Sequence, residues 1–285
     1  MKATAQVIST IFAMVTFAGS AHGTTYFNNF ESGFTPGDMN GQGGWVCSNP
    51  TTVIDDVTIN ASAIEQVSST VFGSRAARLG WVGPLQSDNV YLSHSADTPL
   101  VGGGVDSSFS TTFMVQNSDS YNDGGARDTF GFRLEGPSQS NLFSFFLTPT
   151  THPADPQLEI PAFYSLSWST GGGAATVVLP DLKAVAGSNY TLTVSFYDAG
   201  GNVVGFHAGI GTYGGTPQVF NGTLGAGTTS GVIKNFGAIW DTYAGGANSG
   251  SNLMIFDNVS LVPEPSSALL GLLGVSFAFI RRRRA

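Results

Sequence analysis

Along most of this chain, apolar and polar residues alternate with a period of two. Leu192, Val194 and Phe196 alternate with Thr191, Thr193 and Ser195. Phe130, Phe132 and Leu134 alternate with Thr129, Gly131 and Arg133, and Leu166 and Trp168 with Ser165, Ser167 and Ser169. Phe109, Phe113 and Val115 share one face of the stretch from Ser108 to Gln116. A period of two puts alternate side chains on one face, so each run predicts a strand with one buried side. Leu142 to Leu147 is more continuously apolar and predicts a strand covered on both faces.

Turn signals separate the runs: Asn122-Asp123-Gly124-Gly125, Gly171-Gly172-Gly173, Gly245-Gly246 and Asp198-Ala199-Gly200-Gly201-Asn202. The last, followed by Val203-Val204, predicts a hairpin. About a dozen strands are expected, with no helix before Ser266 except one turn over Ser62 to Val67. No repeat of fixed period appears, which argues against a propeller or solenoid. Many short antiparallel strands predict two packed sheets. Tyr26 to Glu31 opens this body as a strand and Asn252 to Leu261 closes it.

The two ends break the pattern. Lys2 precedes an apolar run from Val7 to Ala18, and Ala21-His22-Gly23 is a small-x-small site, so residues 1–23 read as a signal peptide cut after Gly23. At the other end, Val262-Pro263-Glu264-Pro265 is stiff and extended because each proline fixes its own φ and restricts the residue before it. An uncharged run from Ala268 to Ile280 follows, then Arg281, Arg282, Arg283 and Arg284. Read as a helix, residues 266–280 span roughly 22 Å, a short transmembrane segment. Four arginines stay on the cytoplasmic side, so the body lies across the membrane from them. The organisation expected is a signal peptide (1–23), a β-sandwich (24–261) and a C-terminal signal (262–285) with a basic tail (281–284).

This tail resembles the PEP-CTERM sorting signal of Gram-negative-type bacteria. The matching features are Pro263-Glu264-Pro265, the short hydrophobic helix and the terminal basic cluster. The resemblance implies handling by an exosortase, a membrane transpeptidase-like enzyme that cuts near the motif. It implies delivery to the cell surface or extracellular matrix, with transient membrane anchoring, and says nothing about the body's chemistry.

Charge adds to this picture. The whole chain carries −8. Without the two ends, six basic and 18 acidic residues remain, a net of about −12. That excludes nucleic acid as a partner, which requires basic patches, and suits Ca²⁺ capture. The single cysteine, Cys47, rules out an internal disulfide and reads as a small buried apolar residue. Only 11% of residues are charged and 38 are glycine, a composition of strands and turns.

A second resemblance frames the body. Phe30-Glu31-Ser32-Gly33 followed by Asn40-Gly41-Gln42-Gly43-Gly44-Trp45, and the ending Ile255-Phe256-Asp257-Asn258-Val259-Ser260-Leu261, are similar to the first and last parts of concanavalin A-like (laminin G-like) jelly rolls. The implied fold is an all-β jelly-roll sandwich. The resemblance also implies a structural Ca²⁺ where an early acid meets a carboxylate of the last strand, here Glu31 and Asp257.

Other chemistry is sparse. Asn117 to Gly124, with Asp128 nearby, is rich in oxygen ligands but lacks EF-hand spacing and reads as a polar turn. Trp45, Trp81, Trp168, Trp240 and Tyr121 are available for stacking on sugar rings; Tyr213 and Tyr243, in glycine-rich loops, are the expected exposed platforms. Trp168, on an alternating strand, reads as core. The sequence shows no paired acids at glycosidase spacing, no His-Glu-x-x-His and no Gly-x-Ser-x-Gly. Asp55 and Asp56 point to opposite strand faces and Glu159 stands alone. Sequons at Asn60, Asn189, Asn221 and Asn258 read as chance matches. The expectation is a non-catalytic, glycan-binding or structural sandwich. Its rival is a secreted polysaccharide hydrolase or lyase with Glu159 or Asp55 in a concave cleft.

Overall fold

The computed structural model describes residues 25–54, 57–80, 90–102, 105–117, 128–152, 155–171, 176–201, 203–224, 231–241 and 252–265. The expected signal peptide, the 266–280 helix, Arg281 to Arg284, Trp81, Tyr121 and Tyr243 lie outside them. The described residues form nineteen strands in chain order. The first seven are β1 (Tyr26–Asn28), β2 (Gly37–Asp38), β3 (Trp45–Cys47), β4 (Thr51–Ile54), β5 (Val57–Asn60), β6 (Ser62–Ser69) and β7 (Gly73–Gly80). Then come β8 (Val90–Pro99), β9 (Val101–Gly102), β10 (Val105–Asn117), β11 (Thr129–Glu135), β12 (Asn141–His152) and β13 (Asp155–Thr170). The chain ends with β14 (Val177–Val185), β15 (Tyr190–Gly200), β16 (Val203–Thr212), β17 (Gln218–Thr223), β18 (Val232–Asp241) and β19 (Asn252–Pro265). Among the described residues the only helices are single 3₁₀ turns at Gln42–Gly44 and Pro137–Gln139.

Two antiparallel sheets face each other. The larger runs β17-β16-β15-β10-β19-β7-β6-β2, with β1 beside β19 and β9 beside β10. The second runs β14-β13-β12-β11-β18-β8-β3, and β4 and β5 form a separate ribbon. This is the two-sheet sandwich that the alternation predicts and the jelly roll that the resemblance implies. First and last strands lie side by side, Tyr26 opposite Leu261 and Asn28 opposite Val259. The Asp198–Asn202 turn joins β15 to β16 as a hairpin.

The alternating apolar residues meet between the sheets. Phe130, Phe132 and Leu134 from one, and Leu192, Val194 and Phe196 from the other, are all buried. Trp45 is fully buried, its indole N–H donating to the Tyr26 hydroxyl at 2.8 Å, with Phe30, Phe236 and Phe256 around it. Cys47 is buried and free, as expected. Trp168 is only partly buried and covers the core's margin, edge-on to Phe206.

Ser62 to Val67 departs from expectation. It is strand, not a helical turn, because β2 and β7 bond it on both sides.

One irregularity turns the acid of the last strand out of the core. Asp257 pairs with Thr112 and Ser260 with Ser110, so Asn258 and Val259 together oppose Thr111. This is a β-bulge, and Asn258 adopts φ 52°, a conformation asparagine tolerates better than most residues. Met254 and Phe256 point inward before the bulge, and Val259 and Leu261 after it. Asp257 and Asn258 are thereby both turned to the outer face. Thr111 points inward, fully buried, and donates its hydroxyl to the Asp257 carbonyl at 3.1 Å.

Candidate functional site: an acidic junction and the end of the last strand

Two asparagines set up the first site. The Asn28 Oδ1 accepts from the Phe30 N–H at 2.6 Å and the Asn29 Oδ1 from the Glu31 N–H at 3.4 Å. Such short-range side-chain bonds replace backbone pairing and let the chain turn sharply. Phe30, at φ 55°, enters the core and Glu31 leaves it. The Glu31 carboxylate accepts from the Ser74 N–H at 2.6 Å, the Arg75 N–H at 3.1 Å and the Ser74 hydroxyl. Gly73 makes this possible: a β-carbon there would overlap Glu31 Oε1, and its φ of +66° favours glycine. Arg75 secures the same loop, its Nη1 donating to the carbonyls of Phe34 (2.6 Å) and Glu31 (3.4 Å). The Ser74 hydroxyl, then the backbone N–H groups, hold the Glu31 carboxyl below its ordinary range. An open cavity of about 370 Å³, lined by Gln66, Val67, Ser68, Ser74 and Arg75, lies beside this junction.

Asp257 has the opposite character. It is 2% exposed, and burial pushes its carboxyl up to about 7; the Asn258 N–H opposes the shift and the Glu31 charge adds to it. Its Oδ1 is buried with no hydrogen-bond partner. An orphaned oxygen on a buried acid, within the field of a second acid, is the chemistry that a hard cation satisfies. Both Glu31 oxygens already accept bonds, and the described residues hold no group of three His, Cys, Asp or Glu. A Ca²⁺ here would therefore complete its shell with carbonyls or water.

The second site is the motif Pro263-Glu264-Pro265. The strand does not stop at Leu261 but runs on to Pro265, with Ser107 opposite Pro263, Asp106 opposite Glu264 and Val105 opposite Pro265. The boundary expected at residue 262 thus falls inside β19. Pro263 is buried.

A third group lies on the outer face of the smaller sheet. Arg133 Nε is 3.1 Å from Glu135 Oε1, a charge contact without the alignment of a hydrogen bond. The guanidinium carbon lies 5.8 Å from the Tyr91 ring centre, and Arg133 Nη2 donates to the Gln139 carbonyl at 3.3 Å. The Tyr91 hydroxyl donates to the Arg133 carbonyl and Asn235 Nδ2 to Glu135, both at 3.4 Å. Burial raises both the Tyr91 hydroxyl and the Glu135 carboxyl above their ordinary values, Arg133 opposing the shift in each. Sequence reasoning missed this cluster. Its only local signal is Arg133 and Glu135 two residues apart on one strand face.

Tyr213, in the turn after β16, is half exposed, as expected. Its companion Tyr243 and the acids Asp55 and Asp56 fall outside the described residues, as does the Glu159 side chain.

Comparison with known proteins gives two results. The family model for the PEP-CTERM protein-sorting motif matches residues 261–284, and this chain carries that motif. No curated protein sequence matches it. Among solved structures, it is similar to lectin I from Ulex europaeus in complex with the methyl glycoside of α-L-fucose (TM-score 0.47, 13% identity, 85% of this chain and 98% of that one). It is also similar to a lectin from Bauhinia forficata in complex with GalNAc (0.45, 9%, 86% and 100%). An endo-β-1,4-glucuronan lyase from Trichoderma reesei is similar to the same degree (0.45, 10%, 83% and 94%). These likenesses concern the fold.

Proposed function

We propose that the protein is exported and carried to the cell surface or extracellular matrix by exosortase processing, where its sandwich serves as a non-catalytic glycan-binding or structural module. The observation that carries this is the sorting motif at residues 261–284, joined without a spacer to the last strand of a sandwich. The secretion machinery and the exosortase are the implied partners, and the membrane is a transient one through residues 266–280. A polysaccharide is the proposed ligand, with Tyr213 and Tyr243 as its stacking platforms. Ca²⁺ between Glu31 and Asp257 has a structural role in this reading, fixing the first loop to the last strand.

The non-catalytic reading also draws support from the cluster on the smaller sheet. Arg133 and Glu135 form a charge pair, and burial keeps the Tyr91 hydroxyl protonated, so the phenol is not ready to act as a base. The rival lyase reading takes its interest from the same four side chains grouped on an open sheet face. Purified residues 24–265 tested on a glycan array and against acidic polysaccharides separate the two. Retention without new unsaturated ends supports a binding module, and product formation supports the rival. Tagged full-length protein compared with a chain lacking residues 263–285 tests the sorting claim; surface delivery of both forms would refute it.

A further inference from the structure

The sorting motif is part of the fold, not a free tail. β19 is paired with β10 along its length apart from the bulge, and half of it is held from the other side as well, by β7 at Leu253 to Phe256 and by β1 at Val259 to Leu261. Beyond Leu261 only β10 pairs with it among the described residues, with Ser108 opposite Val262 and Val105 opposite Pro265. The prolines shape this hold. A strand accepts proline where the missing N–H points away from its partner, and residues 263 and 265 share one orientation. Glu264 is then the residue whose backbone N–H and C=O can face β10. Leu261 is locked in the core, whereas the motif is pinned by a single backbone pair and one buried proline ring.

We infer that the motif becomes available for processing only when the last four residues of β19 fray from β10, so that the folded body sets the rate of its own release. This rests on the reading of residues 261–284 as a sorting signal. Enzymes that cut or transfer a peptide bond bind the substrate chain extended, through its backbone groups, and β10 already occupies those of the motif. Cleavage then tracks the population of the opened end. Only Ser266 and Ser267 separate the motif from the uncharged run that begins at Ala268, too short a spacer for the motif to reach a membrane enzyme while the sheet stays closed. Fraying stops at Leu261, where two-sided pairing and the core begin, so the body left behind keeps its sandwich intact.

The test is a lock. Ser108→Cys with Val262→Cys, a directly opposed pair, places a cross-link just before the motif in the full-length chain. Processing in the exporting cell is expected to slow by about tenfold or more when the link is oxidised, relative to the same double variant kept reduced, and to recover on reduction. Equal rates overturn the inference. A second measurement needs no substitution. A proline-specific endoprotease that accepts whole proteins should cut purified full-length protein after Pro263 about tenfold more slowly than a peptide of residues 258–269. Equal cutting overturns the inference too. A reporter ending in residues 261–285 separates the two levels. If it is processed while the lock changes nothing, sorting stands and the gate is wrong; if it is not processed, both fall.

Discussion

Asp257 is where pH and a cation should act on stability. Its carboxyl is raised from 3.8 to about 7 in the folded protein, mainly by burial. A raised acid favours the folded state fully only below its unfolded pKa, and that contribution is lost as pH rises through the folded value. Between pH 5 and pH 8 the loss amounts to about 3 kcal/mol, or about 6 °C in melting temperature for a body of this size. Glu31, held below its ordinary range, loses its own contribution only as pH falls, outside this window. The perturbation is Asp257→Asn, which removes the titration and keeps the shape. Urea or thermal unfolding of residues 24–265 is followed from pH 5 to pH 8, in EDTA and in millimolar Ca²⁺. In EDTA, wild type is expected to lose about 3 kcal/mol more than the variant over this range. Ca²⁺ should restore wild type at pH 8, act little at pH 5 where the acid is protonated, and leave the variant unmoved. Parallel pH profiles, or a Ca²⁺ response surviving in Asp257→Asn, would refute the reasoning.

Three further outcomes are expected. Thr111→Val leaves the Asp257 carbonyl at the bulge without its buried donor and should cost about 1–3 kcal/mol in urea unfolding, more than Thr193→Val on the outer face. Phe256→Ala opens a cavity between Phe30, Trp45 and Phe132 and should cost about 3–5 kcal/mol, read as an earlier denaturation midpoint with unchanged slope. Gly73→Ala pushes against Glu31 and forces an unfavourable φ; it should lower the melting temperature and weaken the Ca²⁺ response together, whereas Gly214→Ala, at positive φ in open space, should lower stability alone.

The sandwich was legible because its strands carry their own period. Leu192, Val194 and Phe196 declare a face without reference to anything distant, and the Asp198 turn declares its hairpin. Ser62 to Val67 misleads because Ala63, Ile64 and Val67 stand at helical spacing; two neighbouring strands override that local preference. The burial of Asp257 depends on a bulge whose partner, Thr111, is 146 residues away, so no local pattern reveals it. The motif's prolines read as a stiff extended segment outside the sandwich, yet a position paired on one side lets the strand continue through them. Arg133 and Glu135 stand two residues apart on one strand, but their partners Tyr91 and Asn235 lie 42 and 100 residues off, so the cluster went unread. Short-range periodicity gives the strands; the site depends on which distant strands become neighbours.

The central claim concerns where the protein goes and what cuts it. Its most direct measurement is the fate of full-length protein carrying an internal tag, in cells with and without the exosortase. The account predicts a shortened form at the surface or in the matrix when the enzyme is present, and uncut, membrane-held protein when it is absent or when Pro263-Glu264-Pro265 is replaced by alanines. The same shortened, released form in cells without the enzyme would contradict it.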